Sequence, residues 1–203
     1  MIGILDYGLG NVSAFESLLR RAGLDVTPVS DPEALKSVTA LVLPGVGAFD
    51  HAMRCFNDSG LRAPTEELVL GEAAVPILGV CVGMQMMARN SEEGTRPGLN
   101  WISASVRKLP PTCRLPHLGW NDVAPTGAEV LFAGLTEPRF YFLHSYFFDC
   151  DDPQEIGAVA EYGSSSFCCA VSRGNIYGVQ FHPEKSHHSG SRLLLNFASL
   201  DHC

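Results

Sequence analysis

The amino-acid sequence predicts an α/β fold, in which one three-layer domain has a central, mostly parallel mixed sheet flanked by helices. In the first half of the 203 residues, short apolar runs alternate with segments of helical periodicity. This alternation is typical of a parallel sheet whose two faces are covered by helices. In the second half, short strand-like segments follow one another, so we expect the sheet to gain antiparallel strands there. The length suits a single domain over residues 1–203.

The elements of the first half follow from apolar periodicity and from residues that begin or end helices. Strands are predicted at residues 2–5, 25–29, 40–43 and 75–80. Helices are predicted at residues 12–22, 48–56 and 61–70, where apolar side chains recur at helical spacing. Gly23 supplies a stop for the first helix. A short helix should begin at Asp31-Pro32-Glu33, which offers a cap, a first-turn proline and a favourable acid.

The second half is richer in short strands. They are predicted at residues 102–109, 140–148, 156–160, 167–172 and 176–181. Arg173-Gly174-Asn175 separates the last two strands and predicts a hairpin. Apolar residues at positions 193, 194, 197 and 200 indicate a closing helix.

The charge and the apolar runs exclude two classes of partner. The formal net charge is −8, and an acidic chain lacks the clustered Lys and Arg that binding to nucleic acid needs. The longest apolar run, residues 73–84, is too short to span a bilayer and contains Pro76, Gly79 and Gly83. The first residues, MIGILDYG, lack the basic and apolar regions of a signal peptide. We therefore expect a soluble, cytoplasmic protein that binds neither nucleic acid nor membrane.

The cysteines predict reduced thiols and no metal. They are odd in number and scattered, at positions 55, 81, 113, 150, 168, 169 and 203, whereas a disulfide framework or a zinc site normally shows regular spacing. Cys168-Cys169 and His187-His188 are poor chelates, because adjacent residues of a strand point to opposite faces. No metal and no cofactor are expected.

The first candidate functional segment is GVCVGMQMM, in which a strand ends, Cys81 follows and a helical pattern begins at Val82. This is the G-x-nucleophile-x-G arrangement of a nucleophile elbow, with cysteine in place of serine. Glycines two residues on either side let neighbouring backbone pass without Cβ clashes, and the helix N-terminus should stabilise a thiolate. A buried cysteine between packing glycines would give the same string, so the motif alone leaves both interpretations open.

The second candidate segment is YGVQFHPEKS, which contains His182 and Glu184. In an extended segment, residues two apart share a face, so these two side chains should point the same way. Pro183 favours an extended conformation of the residue before it. A carboxylate beside an imidazole fixes its tautomer and supports the imidazolium that forms when it takes a thiol proton. An isolated H-P-E is more often a surface feature, but an elbow cysteine earlier in the chain favours a catalytic triad.

A third segment, LPGVGAFD, could supply an oxyanion hole. Glycines flank Val46 in a loop after a predicted strand, and such a loop can turn backbone N–H groups toward a developing oxyanion. The expected donors are the N–H of Val82 and that of Val46 or Gly47, although an ordinary glycine turn has the same string. Gln85 lies four residues after Cys81 on the same helix and should line the same face.

An elbow cysteine followed later by H-P-E resembles the triad-type (class I) glutamine amidotransferases, which release ammonia from glutamine through a glutamyl thioester. Further strings, in colinear order over essentially the whole chain, are similar to those of the glutaminase subunits of imidazole glycerol phosphate synthases. They are MIGILDYGLGN, LPGVGAFD, SEEG, RLPHLGWN, FYFLHSYF and YGVQFHPEKS. The most specific are D-Y-G-x-G-N, P-H-x-G-W-N and P-G-V-G-A-F.

The resemblance implies a substrate, a partner and further site residues. Glutamine would be hydrolysed, and the ammonia would pass directly to a separate cyclase chain of the (β/α)₈-barrel type in a heterodimer. That complex would make imidazole glycerol phosphate and aminoimidazole carboxamide ribotide in histidine biosynthesis. The positions that match those around bound glutamine in the family are Gln85, Glu93, Ser145 and Tyr146. The positions that match those near the partner interface are Asn11, Trp120, Tyr141 and Lys185.

Two other functions remain compatible with the residues. A standalone elbow-cysteine hydrolase or peptidase of similar α/β shape would need neither the H-P-E-K-S string nor a partner, and strong activity of the isolated chain would favour it. A non-catalytic, amidotransferase-like binding subunit is the other alternative. The intact Cys81, His182 and Glu184 argue against it, and labelling of Cys81 by a glutamine-like electrophile would decide the question.

Overall fold

The computed structural model describes residues 1–126 and 129–200, so that Cys203 lies outside the described residues. The strands are β1 (Ile2–Leu5), β2 (Val26–Val29), β3 (Ala40–Gly45), β4 (Ile77–Cys81), β5 (Asn90–Ser91), β6 (Ala104–Lys108), β7 (His117–Asp122), β8 (Ala124–Pro125), β9 (Arg139–His144), β10 (Tyr146–Cys150), β11 (Ile156–Tyr162), β12 (Ser165–Arg173) and β13 (Ile176–Val179). The α-helices are α1 (Val12–Arg21), α2 (Phe49–Asp58), α3 (Arg62–Leu70), α4 (Val82–Met86), α5 (Glu129–Phe132) and α6 (His187–Ala198). Short 3₁₀ turns cover Pro32–Ser37, Pro153–Glu155 and Pro183–Lys185.

A large mixed sheet organises the fold and confirms the predicted α/β class. Five strands lie in the order β2-β1-β3-β4-β13, and every neighbouring pair among them is parallel. The sheet continues through β12, β10, β6 and β5, with β12 antiparallel to both β13 and β10. Helix α1 packs against α6, and α2 packs against α4. The antiparallel strands therefore come late in the chain, as the sequence predicted.

Local sequence signals account for where the first helical segments begin and end. The Asn11 side chain accepts a hydrogen bond from the backbone N–H of Ala14 and caps α1. Gly23 follows that helix with φ of +80°, a backbone conformation that glycine adopts without steric penalty. Asp31 caps the next segment as predicted, but the segment is a 3₁₀ turn and not an α-helix.

The register of the parallel strands determines what meets at their carboxyl ends. Gly45 of β3 is paired with Cys81 of β4, and Val80 of β4 is paired with Val179 of β13. The loop after β3, the elbow after β4 and the segment after β13 therefore reach the same edge of the sheet. This edge is where open α/β sheets bind their ligands.

The prediction of one strand over residues 140–148 was wrong. The chain breaks at Ser145: β9 before it pairs with β7 in a separate two-stranded sheet, whereas β10 after it joins the large sheet. Strand β7 was not predicted at all. Its large apolar side chains, Leu118 and Trp120, are exposed and alternate with glycine and polar residues, so the string shows no apolar run.

The doubled cysteine, Cys168-Cys169, belongs to the hydrophobic core. Both residues lie on β12 and both are buried. The Sγ atoms of Cys168 and Cys150 are 4.0 Å apart, and this neighbour together with burial raises the pKa of the Cys168 thiol. Burial alone raises the pKa of Cys169. These thiols are therefore poor nucleophiles and serve as small apolar side chains.

None of the helices in residues 1–126 and 129–200 is both long and apolar enough to cross a bilayer. In the same ranges, no cluster of three or more His, Cys, Asp or Glu side chains could hold a metal ion.

Candidate active site

The turn between β4 and α4 holds Cys81 in a strained conformation. Its φ is +56° and its ψ is −112°, a region that non-glycine residues occupy at a cost of about 1–3 kcal/mol. The surrounding glycines make the turn possible. A Cβ atom on Gly83 would lie 2.0 Å from the Leu43 carbonyl oxygen, and one on Gly79 would lie 2.8 Å from the Met84 nitrogen. The backbone therefore passes closely on both sides of the elbow, as the G-x-C-x-G string predicted.

His182 lies three residues after the end of β13 and is hydrogen-bonded to Glu184. The distance from His182 Nδ1 to Glu184 Oε1 is 2.9 Å, and the two side chains are only 4% and 3% exposed. His182 itself is extended, as expected for the residue before a proline, but the expectation that the segment stays extended to Glu184 was wrong. The Pro183–Lys185 stretch is a 3₁₀ turn with His182 at its N-cap. The turn folds the Glu184 carboxylate back onto the His182 imidazole. In an extended chain, the two side chains would only have pointed to the same side of the backbone.

The backbone of His182 is fixed from two sides. Its N–H donates to the Tyr141 carbonyl at 2.9 Å, and its own carbonyl accepts from the Ser186 hydroxyl at 2.6 Å. Ser186 Oγ in turn accepts from the backbone N–H of Tyr141 at 3.0 Å. Sequence reasoning gave Ser186 no role, although it lies in the same H-P-E-K-S string.

The electrostatics of the imidazole depend on both of its neighbours. Burial disfavours the charged ring of His182, but the neighbouring Cys81 and Glu184 side chains favour it more strongly and raise the pKa of His182 to about 9. Because Nδ1–H donates to the carboxylate, Nε2 is the ring nitrogen left for the cysteine side. The arrangement can therefore accept a proton from the Cys81 thiol and hold it as a stabilised imidazolium.

A cavity of about 170 Å³ lies over Cys81 and His182. It is lined by Val46, Gly47, Cys81, Val82, Gln85, Glu93, Leu143, His144, Ser145, Tyr146, His182 and Lys185. The structure thus brings the predicted oxyanion positions and the predicted glutamine positions around the same thiol. A larger groove, of about 670 Å³, lies between the Pro32–Ser37 turn and α3. No cysteine or histidine lines that groove, so it lacks the groups for acyl chemistry.

Each predicted glutamine position also has a contact within the fold. Glu93 Oε2 accepts from the Phe49 N–H at 2.9 Å and caps the start of α2. Gln85 Nε2 donates to the Tyr146 carbonyl at 3.1 Å. The Ser145 carbonyl accepts from the Leu109 N–H at 2.9 Å, which fixes the crossing between β9 and β10.

The loop after β3 lies at the mouth of the cavity. Val46 is 39% exposed, and Gly47 has φ of +83° with open space where a Cβ would be. The peptide between Val46 and Gly47 therefore has steric freedom to rotate, whereas Gly45 is held in β3 by its pairing with Cys81.

Gln180 approaches the nucleophile directly, and sequence reasoning missed it. Its Nε2 lies 3.7 Å from Cys81 Sγ, and its Oε1 accepts from Gln85 Nε2 at 2.9 Å. The signal was available in principle, because Gln180 stands two residues before His182 in YGVQFHPEKS. Only the register between β4 and β13, however, places it beside the cysteine.

Three of the four predicted interface residues contact one another. The ring centroids of Trp120 and Tyr141 are 6.2 Å apart, and Lys185 Nζ lies 5.8 Å from the Tyr141 ring centroid. Trp120 also stacks on His187. The fourth residue, Asn11, is exposed at the start of α1, a helix that contacts the Pro183–Lys185 turn.

The chain is similar to known proteins over nearly its whole length. Residues 3–199 match the family model described as glutamine amidotransferase class-I. The chain is 50% identical to imidazole glycerol phosphate synthase subunit HisH of Bdellovibrio bacteriovorus, over 98% of this chain and 100% of that protein. It is 47% identical to the HisH subunit of Leptospira interrogans, with the same two coverages.

Solved structures share the fold at lower identity. A crystal structure of a glutamine amidotransferase superimposes with a TM-score of 0.75 at 21% identity, over 97% of this chain and 96% of that chain. The structure of PurLQS from Thermotoga maritima gives a TM-score of 0.73 at 14% identity, with the same coverages.

Proposed function

Because this chain belongs to the class-I glutamine amidotransferase family, and within it to the imidazole glycerol phosphate synthase subunits named HisH, we propose that Cys81, His182 and Glu184 hydrolyse glutamine to glutamate and ammonia. The chain is a glutamine amidotransferase, and its relatives are named as subunits of a synthase, so it acts with a partner subunit. The observation that supports these residue roles best is the hydrogen-bonded Glu184–His182 pair, which is buried beside an elbow cysteine in the wall of the same cavity.

In the first half-reaction, His182 accepts the thiol proton while Cys81 Sγ attacks the side-chain carboxamide carbon of glutamine. Glu184 holds the ring in the tautomer that presents Nε2 and stabilises its positive charge. His182 then returns the proton to the amide nitrogen, the C–N bond breaks and ammonia leaves. A glutamyl thioester remains on Cys81.

In the second half-reaction, His182 removes a proton from water as the water attacks the thioester carbon. The C–S bond breaks, the Cys81 thiol is regenerated and glutamate leaves. The net change is glutamine plus water to glutamate plus ammonia.

The tetrahedral intermediates need donors for their oxyanion. We assign one to the N–H of Val82, directly after the nucleophile, and the other to the N–H of Val46 or Gly47 at the cavity mouth. The residues assigned to the amino-acid end of glutamine are Gln85, Glu93, Ser145 and Tyr146. A carboxylate such as Glu93 suits an ammonium group, and backbone groups at residues 145 and 146 suit the remaining polar atoms.

The partner assigned to the chain is a cyclase of the (β/α)₈-barrel type, which would receive ammonia directly and make imidazole glycerol phosphate in histidine biosynthesis. The surface that suits it is the outer face of the β7–β9 sheet, where Leu118, Trp120 and Leu143 are exposed. Large exposed apolar side chains that cluster in this way mark protein interaction surfaces. The interface residues assigned on this side are Asn11, Trp120, Tyr141 and Lys185.

The test combines one variant with two nitrogen sources. Cys81→Ala is expected to abolish glutamine hydrolysis, because no other thiol lines the cavity. The fold and partner binding should stay intact. The complex with a co-purified cyclase should still make product from added ammonia. More than trace glutaminase activity in Cys81→Ala would overturn the nucleophile assignment. High glutaminase activity of the isolated wild-type chain, unchanged when the cyclase and its nucleotide substrate are added, would favour a standalone hydrolase instead.

A further inference from the structure

Two buried histidines next to the site have no part in the chemistry above. His117 on β7 and His144 on β9 are 3% and 6% exposed, and His117 Nδ1 lies 3.0 Å from His144 Nε2. His144 Nδ1 lies 2.8 Å from the Tyr146 carbonyl oxygen. On the other side, Asn121 Nδ2 lies 3.3 Å from His117 Nε2. The four groups form a line across the inner face of the small sheet toward the cavity.

The direction of every hydrogen bond in this line is determined. A carbonyl oxygen only accepts, so His144 must carry its proton on Nδ1 and leave Nε2 as an acceptor. His117 then donates from Nδ1 and accepts at Nε2 from the amide of Asn121, which also donates to the Glu161 carbonyl at 2.7 Å. Both rings must be neutral for this pattern. Burial lowers the pKa of His117 to about 4 and is the main cause that lowers that of His144 to about 3.

The line continues from Tyr146 to the nucleophile. The same carbonyl oxygen accepts from Gln85 Nε2 at 3.1 Å, and Gln85 Nε2 donates its other hydrogen to Gln180 Oε1 at 2.9 Å. Gln180 must therefore present its Nε2–H to Cys81 Sγ, 3.7 Å away. With both amides buried, the acceptor at Tyr146 determines which end of the Gln180 amide faces the sulfur.

We propose that His117 and His144 are positioning residues, which hold the Tyr146 carbonyl in place and thereby keep the Gln180 amide donating to Cys81. This inference rests on the proposed role of Cys81 as the nucleophile. A hydrogen bond to the charged form of a group favours that form, so a donor fixed on the sulfur promotes formation of the attacking thiolate. If Gln180 turned over, its carbonyl oxygen would face the sulfur and repel a thiolate.

A purely structural role has different consequences. Both rings sit among aromatic side chains, and His117 stacks on Phe142 and on Tyr162 with centroids 4.7 and 3.9 Å apart. If packing were all that the pair supplied, replacement by phenylalanine would affect the melting temperature and leave the reactivity of the folded protein unchanged.

The test compares His144→Phe with His144→Asn in the full-length chain without partner. The asparagine amide can place an N–H near the position of Nδ1, so it can keep the bond to Tyr146, whereas phenylalanine cannot. Neither replacement places an acceptor at the position of His144 Nε2, so both variants should melt at a lower temperature than the wild type. The rate of Cys81 carbamidomethylation by iodoacetamide is followed at pH 7 by mass spectrometry of the Cys81 peptide, at a temperature where circular dichroism shows every variant folded.

His144→Phe is expected to slow the reaction about tenfold, the effect of one hydrogen bond to a charged group, and to move its rate profile to higher pH. His144→Asn should stay within about threefold of the wild type. Gln180→Leu sets the size of the full effect, and His188→Asn, at an exposed position of α6, is the surface control.

An alkylation rate of His144→Phe equal to that of the wild type would overturn the inference. Equal slowing of alkylation in His144→Phe and His144→Asn would overturn it too, because the lower rate would then result from altered packing and not from the lost hydrogen bond. The alkylation needs neither glutamine nor partner. A chain that shows the expected order but hydrolyses no glutamine in complex with the cyclase would therefore overturn the proposed function alone. Normal hydrolysis of glutamine by the wild-type complex, together with equal alkylation rates in all the variants, would overturn this inference alone.

Discussion

Gly83→Ala tests whether the close approach at the elbow is what allows Cys81 to occupy its strained conformation. The added Cβ would lie 2.0 Å from the Leu43 carbonyl oxygen and 3.0 Å from its carbonyl carbon. Real Cβ contacts are almost never shorter than 3.0 Å, so the start of α4 and the end of β3 must separate by about 1 Å. Neither atom belongs to a flexible side chain, so the backbone itself has to move.

The magnitude follows from that displacement. Overpacking of this kind costs about 1–3 kcal/mol, which for a chain of this size lowers the melting temperature by roughly 2–4 °C per kcal/mol. The functional loss should be larger. Cys81 and Val82 lie in the segment that moves, and a misplacement of about 1 Å at a reacting group can reduce the rate about 100-fold. We therefore expect a folded, slightly destabilised protein with about 1% of the wild-type glutaminase rate in complex with the cyclase.

The assay measures glutamate production by the complex, together with thermal unfolding of the isolated chain. Gly23→Ala is the matched control: Gly23 also has a positive φ, of +80°, but nothing lies within 4 Å of its added Cβ. This control should lose about 1–2 kcal/mol of stability from the left-handed conformation and keep its activity. A Gly83→Ala variant that unfolds and turns over like the wild type would refute the reasoning.

Three other predictions concern the triad, acid stability and the loop at the cavity mouth. His182→Asn should be nearly as damaging to glutamine hydrolysis as loss of Cys81, and Glu184→Gln should be milder, because the imidazole moves the proton whereas the carboxylate only orients and stabilises the imidazole. The losses in rate should be non-additive in double mutants, and multiplicative losses would contradict the triad. The folded-state pKa values of His117 and His144 are about 4 and 3, below the unfolded value of about 6.5. As the pH decreases, the unfolded chain therefore binds protons before the folded chain does, and the free energy of unfolding should fall below about pH 6.5 by at most about 2.7 kcal/mol per pH unit. Equal midpoints of urea unfolding at pH 6.5 and pH 5 would contradict this. We expect the peptide between Val46 and Gly47 to turn its N–H toward the oxyanion position only when the cyclase and its nucleotide substrate bind, so Gly47→Val, which restricts this rotation, should reduce their activation of glutamine hydrolysis. Equal fold-activation in the variant and the wild type would remove the basis for this switch.

Local pattern in the sequence determined the parallel half of the sheet and the elbow that holds the proposed nucleophile. Apolar runs separated by helical periodicity gave strands that differ from β1, β2 and β3 by two residues or fewer. The elbow could be read in the same way, since the glycines on either side of Cys81 are required by contacts within a few residues of the turn and with the adjacent strand. H-P-E could be recognised as the candidate partner of that cysteine. Its conformation could not be recognised, because the residue before a proline does not fix the turn that follows the proline.

Tertiary structure decided everything that depends on register between distant strands. The break at Ser145, the pairing of β7 with β9 and the approach of Gln180 to Cys81 leave no periodic trace in the string. His117 and His144 stand 27 residues apart, and each alone is an ordinary histidine among apolar neighbours. Their meeting, and the tautomers it imposes, follow from which strand faces which. The sequence of one segment carries its own periodicity, but a contact between two segments depends on the free energy of the whole packed chain.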